Sequence, residues 1–321
     1  MTAQDNNHHA LLERLSESLN SVVIGQPQVI EQVIAAMLAG GHVMIEGVPG
    51  LAKTLLAQCL ATAIGGKFAR IQFTPDLMPA DVTGHAMYDM QSEKFRLRRG
   101  PVFCNVLLAD EINRAPAKTQ AALLEVMQEQ RVTIEGKPLA VPEPFMVLAT
   151  QNPIEHEGTY VLPEAQLDRF IMKVLIDYPD AENEQQIAMN MAGMRDDLVT
   201  LAATLDPILQ PDTTLKLRQQ ARAIQIDPAI AEYAVAITRA TRQWPGINVG
   251  AGPRASIALL RIAQASALLE GRDFVIPDDV KRFALACLRH RIMLGAELQM
   301  EGQSPDEVLE RIIEAQKAPR Q

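Results

Sequence analysis

Only three cysteines occur in the 321 residues, Cys59, Cys104 and Cys287, and their spacing suits neither a metal knuckle nor a disulfide framework. A reducing compartment is therefore expected, with the cytoplasm the simplest case. The six histidines are equally scattered, and no His-x-x-His or Cys-x-x-Cys pattern predicts a structural metal. No apolar stretch approaches the roughly 18 to 20 residues that cross a bilayer, and Met1 to His9 is polar, so neither an anchor nor an export signal is expected. Excess positive charge is missing as well. A net charge of −9 and a pI near 5.3 offer no broad attraction to nucleic acid. Arg96, Arg98 and Arg99 form the only tight basic cluster, and they read as a solvated face of an exposed strand. Internal repeats and low-complexity tracts are absent too.

What is present is 48% apolar residues, enough for two cored domains. Short apolar runs alternate with helix-period segments through the first half. The strand candidates are Val43 to Ile45, Ala69 to Phe73, Val106 to Ala109, Phe145 to Thr150 and Phe170 to Ile176. Continuous apolar strands bounded by Gly, Pro or polar residues predict a parallel α/β sheet covered on both faces. Two segments break the alternation. Gly84 to Arg99 and Arg131 to Val141 each have a polar middle between strand-like arms, and both predict β-hairpins. Beyond Asp177 to Asp180 the strands stop, and helices are expected near Glu182 to Met194, Pro228 to Gln243, Pro253 to Glu270, Pro277 to Ile292 and Pro305 to Gln316. The expectation is an α/β domain over residues 10–179 and a smaller all-α domain over 180–318.

The chemistry concentrates at strand ends. Gly47-Val48-Pro49-Gly50-Leu51-Ala52-Lys53-Thr54 follows the first apolar run directly and leads into a helix through Leu55. A glycine-bearing turn there lets backbone N–H groups converge on phosphate oxygens at the positive end of a helix dipole. Lys53 would reach the β- and γ-phosphates. The Thr54 hydroxyl and the Asp110 carboxylate would hold Mg²⁺. The usual pattern has glycine before the lysine; Ala52 instead adds a Cβ where phosphate approaches. Glu111, one residue past the metal carboxylate, is placed to polarise an attacking water, or to serve as a capping acid. Asn152 ends an apolar strand, where its amide can bond both water and phosphate; before Pro153 it also suits an ordinary turn. Arg169 closes a short helix and points to a neighbour's phosphate, or pairs with Asp168 or Glu164. Arg254, after Gly252-Pro253, opens a helix of the second domain and could reach nucleotide across the interdomain cleft. Ile24 and Gly25 supply adenine contacts or core packing.

Taken in order, these words resemble the AAA+ ATPases, and the MoxR family most closely. The resemblance is carried by Gly47 to Thr54, Asp110-Glu-Ile-Asn-Arg-Ala-Pro116, Ala149-Thr-Gln-Asn-Pro153, Glu157-Gly-Thr-Tyr160 and Leu162-Pro-Glu-Ala-Gln-Leu-Asp-Arg-Phe170. It implies a P-loop core with two hairpin inserts (the helix-2 insert and the pre-sensor-1 hairpin), a helical lid, ATP and Mg²⁺ as cofactors, and a hexameric homo-oligomer. It also implies a chaperone or maturation role on a protein client, with a partner carrying a von Willebrand factor A domain. Where the family tends to have Ser before the Pro-Arg pair, this chain has Gly252. A nucleic-acid translocase and a metal-chelatase motor subunit are the alternatives on the same ring architecture, with a nucleotide-gated scaffold behind them.

Overall fold

The computed structural model describes residues 3–91, 93–152, 160–192, 201–202 and 204–319. Its strands run in the order β1 (Val43–Glu46), β2 (Phe68–Gln72), β3 (Gly84–Asp89), β4 (Lys94–Arg99), β5 (Val106–Asp110), β6 (Arg131–Ile134), β7 (Lys137–Ala140), β8 (Met146–Gln151) and β9 (Met172–Leu175). Five of them form one sheet, ordered β2-β5-β8-β1-β9 and parallel throughout. Helices α1 (Ala3–Val22), α2 (Pro27–Ala39), α3 (Lys53–Ala63) and α5 (Ala117–Glu129) cover it, with short α4 (Pro79–Thr83) and α6 (Glu164–Leu167) between strands and α7 (Ala181–Ala192) after it.

Alternation along each strand sends neighbouring side chains to opposite faces. Val43, Ile45, Val106, Leu108, Met146, Leu148, Met172 and Val174 join the core under α1, α2 and α3. Met44, Leu107, Ala109, Val147 and Ala149 join a second core with Leu123, Leu124 and Met127 of α5. Each buried Val, Leu, Ile or Met contributes about 1.5–3 kcal/mol by leaving water, so strands of only four to six residues suffice when both faces are covered.

The two hairpins stand apart from this sheet. β3 pairs antiparallel with β4, and β6 with β7 around Glu135-Gly136, both of which take left-handed backbone angles. The second half holds helices Pro211–Ala223, Pro228–Ala240, Pro253–Leu269, Pro277–Leu288, Ala296–Met300 and Pro305–Ala315. Proline opens five of these six, at the turn where its missing N–H goes unused.

Two expectations need correction. The helical region is not purely α, because β10 (Ile247–Val249) pairs antiparallel with β11 (Met293–Leu294), and Gly295 N–H donates to Gly246 C=O at 2.7 Å. Runs of two and three residues are too short to carry an alternation. The helix Pro211–Ala223 is also additional to the sequence reading. Its buried face, Thr214, Leu217, Arg218 and Ala221, keeps helical spacing, but two of those four residues are polar. Ser92, Pro153, Glu157, Gly158, Thr159 and Met194 lie outside the described residues.

Candidate active site

The parallel sheet brings the carboxyl ends of β1, β5 and β8 to one edge, where α/β sheets present their ligand crevice. After β1 the chain turns at Gly47, beside the end of β9; a Cβ there would overlap the Ile176 side chain and carbonyl oxygen. Gly50 has φ +88° with open space around its Cα, so the turn itself requires glycine there. Ala52 is left-handed too, at φ 55° and ψ 21°, and α3 begins at the next residue. Lys53 Nζ donates to the carbonyls of Gly47 (2.6 Å) and Val48 (3.2 Å). Burial holds its pKa below the usual lysine value, opposed by the negative charges of Asp110 and Glu111.

Those two acids close the opposite wall. Asp110 Oδ1 accepts from the Thr150 hydroxyl at 2.6 Å, and Thr150 Oγ1 accepts from the Glu111 N–H at 2.9 Å, so β8 fixes the Asp110 carboxylate and the Glu111 backbone at the end of β5. Glu111 takes a left-handed conformation, φ 54° and ψ 51°, which turns its side chain off the strand line into the cleft. Asp110 Oδ2 meets Arg70 Nη2 at 2.6 Å. Glu111 Oε2 accepts from Gln72 Nε2 at 2.8 Å and pairs with Arg114 Nε at 3.0 Å. Asn152 is buried at the end of β8.

Around these groups lies a cleft of about 720 Å³ that takes in Pro49 to Leu55, Asp110, Glu111, Thr150 and Asn152. Apolar Val22, Ile24, Ile187 and Leu201 also line it. Gly25 adjoins it without lining it; at φ +77° a Cβ would press on Pro179 and Asn183, so glycine there permits the close approach of the chain that opens α7. The donor set suits magnesium, which takes hard oxygen ligands and few from the protein. Thr54 and Asp110 supply a hydroxyl and a carboxylate on facing walls of one cleft. Among the described residues no cluster of three or more His, Cys, Asp or Glu offers a closed protein-only metal cage.

The family described as "ATPase family associated with various cellular activities (AAA)" matches residues 42–172, and "AAA lid domain" matches 239–312. The chain is 43% identical to "Chaperone MoxR1" of Mycobacterium tuberculosis, over 96% of this chain and 82% of that one. It is 31% identical to "Protein MoxR" of Methylorubrum extorquens, over 95% and 94%. The chain belongs to the MoxR family of AAA+ ATPases. A solved structure from Cytophaga hutchinsonii, 38% identical, superposes with a TM-score of 0.90 over 98% of this chain and 97% of that one. No described helix is long and apolar enough to cross a membrane.

Against this MoxR-type frame, the candidate residues fall into two groups. Pro49 to Leu55 of the glycine loop, Ile24, Asp110, Glu111 and Asn152 share the cleft, while Gly47 and Val48 do not line it. Arg169 and Arg254 do not. They line a separate cavity of about 490 Å³ with Arg222, Arg261 and Arg291. Arg254 therefore does not reach this chain's own phosphate loop; its Nη1 lies 3.7 Å from Asp168 Oδ2. Asp168 is bonded more closely by Arg291 Nε, at 2.8 Å, rather than by Arg169, whose buried Nε has no hydrogen-bond partner. Sequence reasoning missed Arg70 and Gln72. Their signal was available as polar residues two apart on a strand otherwise facing the core, next to the strand that carries Asp110.

Proposed function

We propose that this chain is a Mg²⁺-dependent ATP phosphohydrolase that works as a ring-shaped homo-oligomer, hexameric as MoxR resemblance implies. Turnover remodels, activates or matures a protein client together with a partner carrying a von Willebrand factor A domain. The observation that carries the reading is the cleft in which the glycine loop after β1 faces two carboxylates delivered together at the end of β5, with β8 between the two strands. Gly47 to Leu55 would bind the phosphates, with Ile24 and Gly25 beside the base. Magnesium, held through Thr54 and Asp110, would supply charge neutralisation on the phosphate oxygens.

Glu111 then orients and deprotonates the attacking water, and Asn152 fixes that water against the phosphate. Positive charge for the transition state is assigned to Arg169 and Arg254 of a neighbouring copy, because both sit away from this chain's own cleft and beside each other. The division into residues 10–179 and 180–318 belongs to this reading, as does a cytoplasmic location. The relative named a chaperone supports a protein client. So does the β3–β4 hairpin, which exposes Met87, Tyr88, Met90, Phe95 and Leu97, with the Tyr88 and Phe95 rings 5.4 Å apart. An exposed apolar patch of this kind marks a contact surface.

Mixing two inactive variants tests the reading. Lys53→Ala lacks a sound phosphate loop and Arg169→Ala lacks the trans arginine, so each alone should lose most ATPase activity. In an equal mixture about one interface in four pairs a sound loop with a sound arginine, so roughly a quarter of the parent activity should return. No recovery in rings shown to be mixed would refute the assignment of Arg169.

A further inference from the structure

β2 is an outer strand of the sheet, and its Arg70 and Gln72 leave the same face, two residues apart. Arg70 Nη2 donates to Asp110 Oδ2 at 2.6 Å and to Gln72 Oε1 at 3.1 Å. Gln72 Nε2 donates in turn to Glu111 Oε2 at 2.8 Å. One polar chain thus links Asp110, Arg70, Gln72 and Glu111, and both of its strand β2 members line the nucleotide cleft.

Stability does not explain this arrangement. Arg70 is about half exposed, and ion pairs of that kind contribute little. Its position matters more. A divalent cation and a guanidinium compete for Asp110 Oδ2, because both are positive and would stand within a few ångströms of each other. Use of Asp110 Oδ2 as a metal ligand therefore favours movement of Arg70 off that oxygen. The carboxylate itself stays in place, since Thr150 holds its other oxygen at 2.6 Å. A displaced guanidinium in this cleft meets phosphate oxygens, for which its planar fork of donors is well matched.

We infer that Arg70 is a further nucleotide-binding residue of this chain, acting in cis. It holds Asp110 Oδ2, yields that oxygen to the divalent cation, and turns to the phosphate that arrives with the cation. Substrate and metal binding are thereby coupled through one side chain. This inference rests on the ATPase reading above.

Two effects of opposite sign follow from removing the guanidinium. The metal has nothing to displace, so less of it is needed; the phosphate loses a charge-assisted donor, so binding at saturating metal weakens. A purely structural role would not separate them. The test is binding of a fluorescent, non-hydrolysable ATP analogue to the full chain across a Mg²⁺ titration. Arg70→Ala should lower the Mg²⁺ half-point about fivefold and weaken the Kd at saturating Mg²⁺ about tenfold. Arg70→Lys, which keeps the charge without the fork, should leave the half-point near the parent's and give an intermediate Kd. In an Asp110→Asn background, Arg70→Ala should no longer move the half-point. If the parent depends on Mg²⁺ and Arg70→Ala matches it in both quantities, this inference alone is overturned. If parent binding ignores Mg²⁺ and survives Lys53→Ala, the ATPase reading falls and takes the inference with it.

Discussion

Ala52 stands where phosphate loops ordinarily have glycine, and its backbone is left-handed at φ 55° and ψ 21°. An L-residue held there costs about 1–2 kcal/mol through crowding of its Cβ against the carbonyl oxygen. Glycine avoids that crowding but loses about 0.4–1 kcal/mol more conformational freedom on folding. The balance makes Ala52→Gly more stable by about 0.5–1 kcal/mol. For a chain of this size that is a rise in Tm of roughly 1–3 °C, measurable by scanning calorimetry or fluorimetry. Two neighbours calibrate the argument. Ala52→Val should lower Tm, since a β-branched residue tolerates this conformation worse than alanine. Gly50→Ala should also lower it, although nothing lies within 4 Å of the added Cβ, because at φ +88° the cost is backbone strain alone. Nucleotide affinity of Ala52→Gly should match or exceed the parent's, as the Cβ near the phosphate path is gone. A lower Tm for Ala52→Gly, with normal folding, would refute the strain argument.

The buried imidazole of His42 links α5 to β8. Its Nδ1 accepts from Val147 N–H at 3.0 Å, which leaves Nε2–H to donate to Met127 C=O at 3.1 Å, and burial pushes its pKa down to about 4 from 6.5. The unfolded chain takes up the proton first, so full stability holds above pH 6.5 and about 3 kcal/mol is lost as pH falls toward 4. Urea midpoints between pH 7.5 and 4.5 should decline less steeply in His42→Gln than in the parent; equal slopes would contradict it, with His290 adding a decline of the same sign to both. In the β3–β4 hairpin, changing Met87 and Tyr88 together to serine should leave basal ATPase near the parent's and abolish stimulation by the proposed protein partner. Stimulation that survives in intact rings would move the contact away from this hairpin.

Much of the site was legible because it is built from local rules. A glycine turn between a strand and a helix, an acid at a strand end and a polar amide at the next are patterns within eight residues. They needed only the parallel sheet, itself readable from short continuous apolar runs, to be brought to one edge. Both hairpins were legible for the same reason, as alternating arms around a polar turn. The helix Pro211–Ala223 was not, because Arg218 and Thr214 occupy its buried face; Arg218 is tolerated there by donating to Met37 C=O at 2.8 Å, a partner 181 residues away.

The sequence by itself determined the chemistry on offer: a phosphate loop, two acids, and arginines at two helix ends. Only the tertiary structure decided which of them meet. β2 lies beside β5 because the sheet order carries the chain outward after β1, and that adjacency alone sets Arg70 on Asp110. The helix Pro253–Leu269 packs against α2 and brings Arg254 to Asp168 and Arg169 rather than to Lys53. Long-range pairings of this kind depend on how the faces of distant elements bury one another, and no spacing along the chain records that.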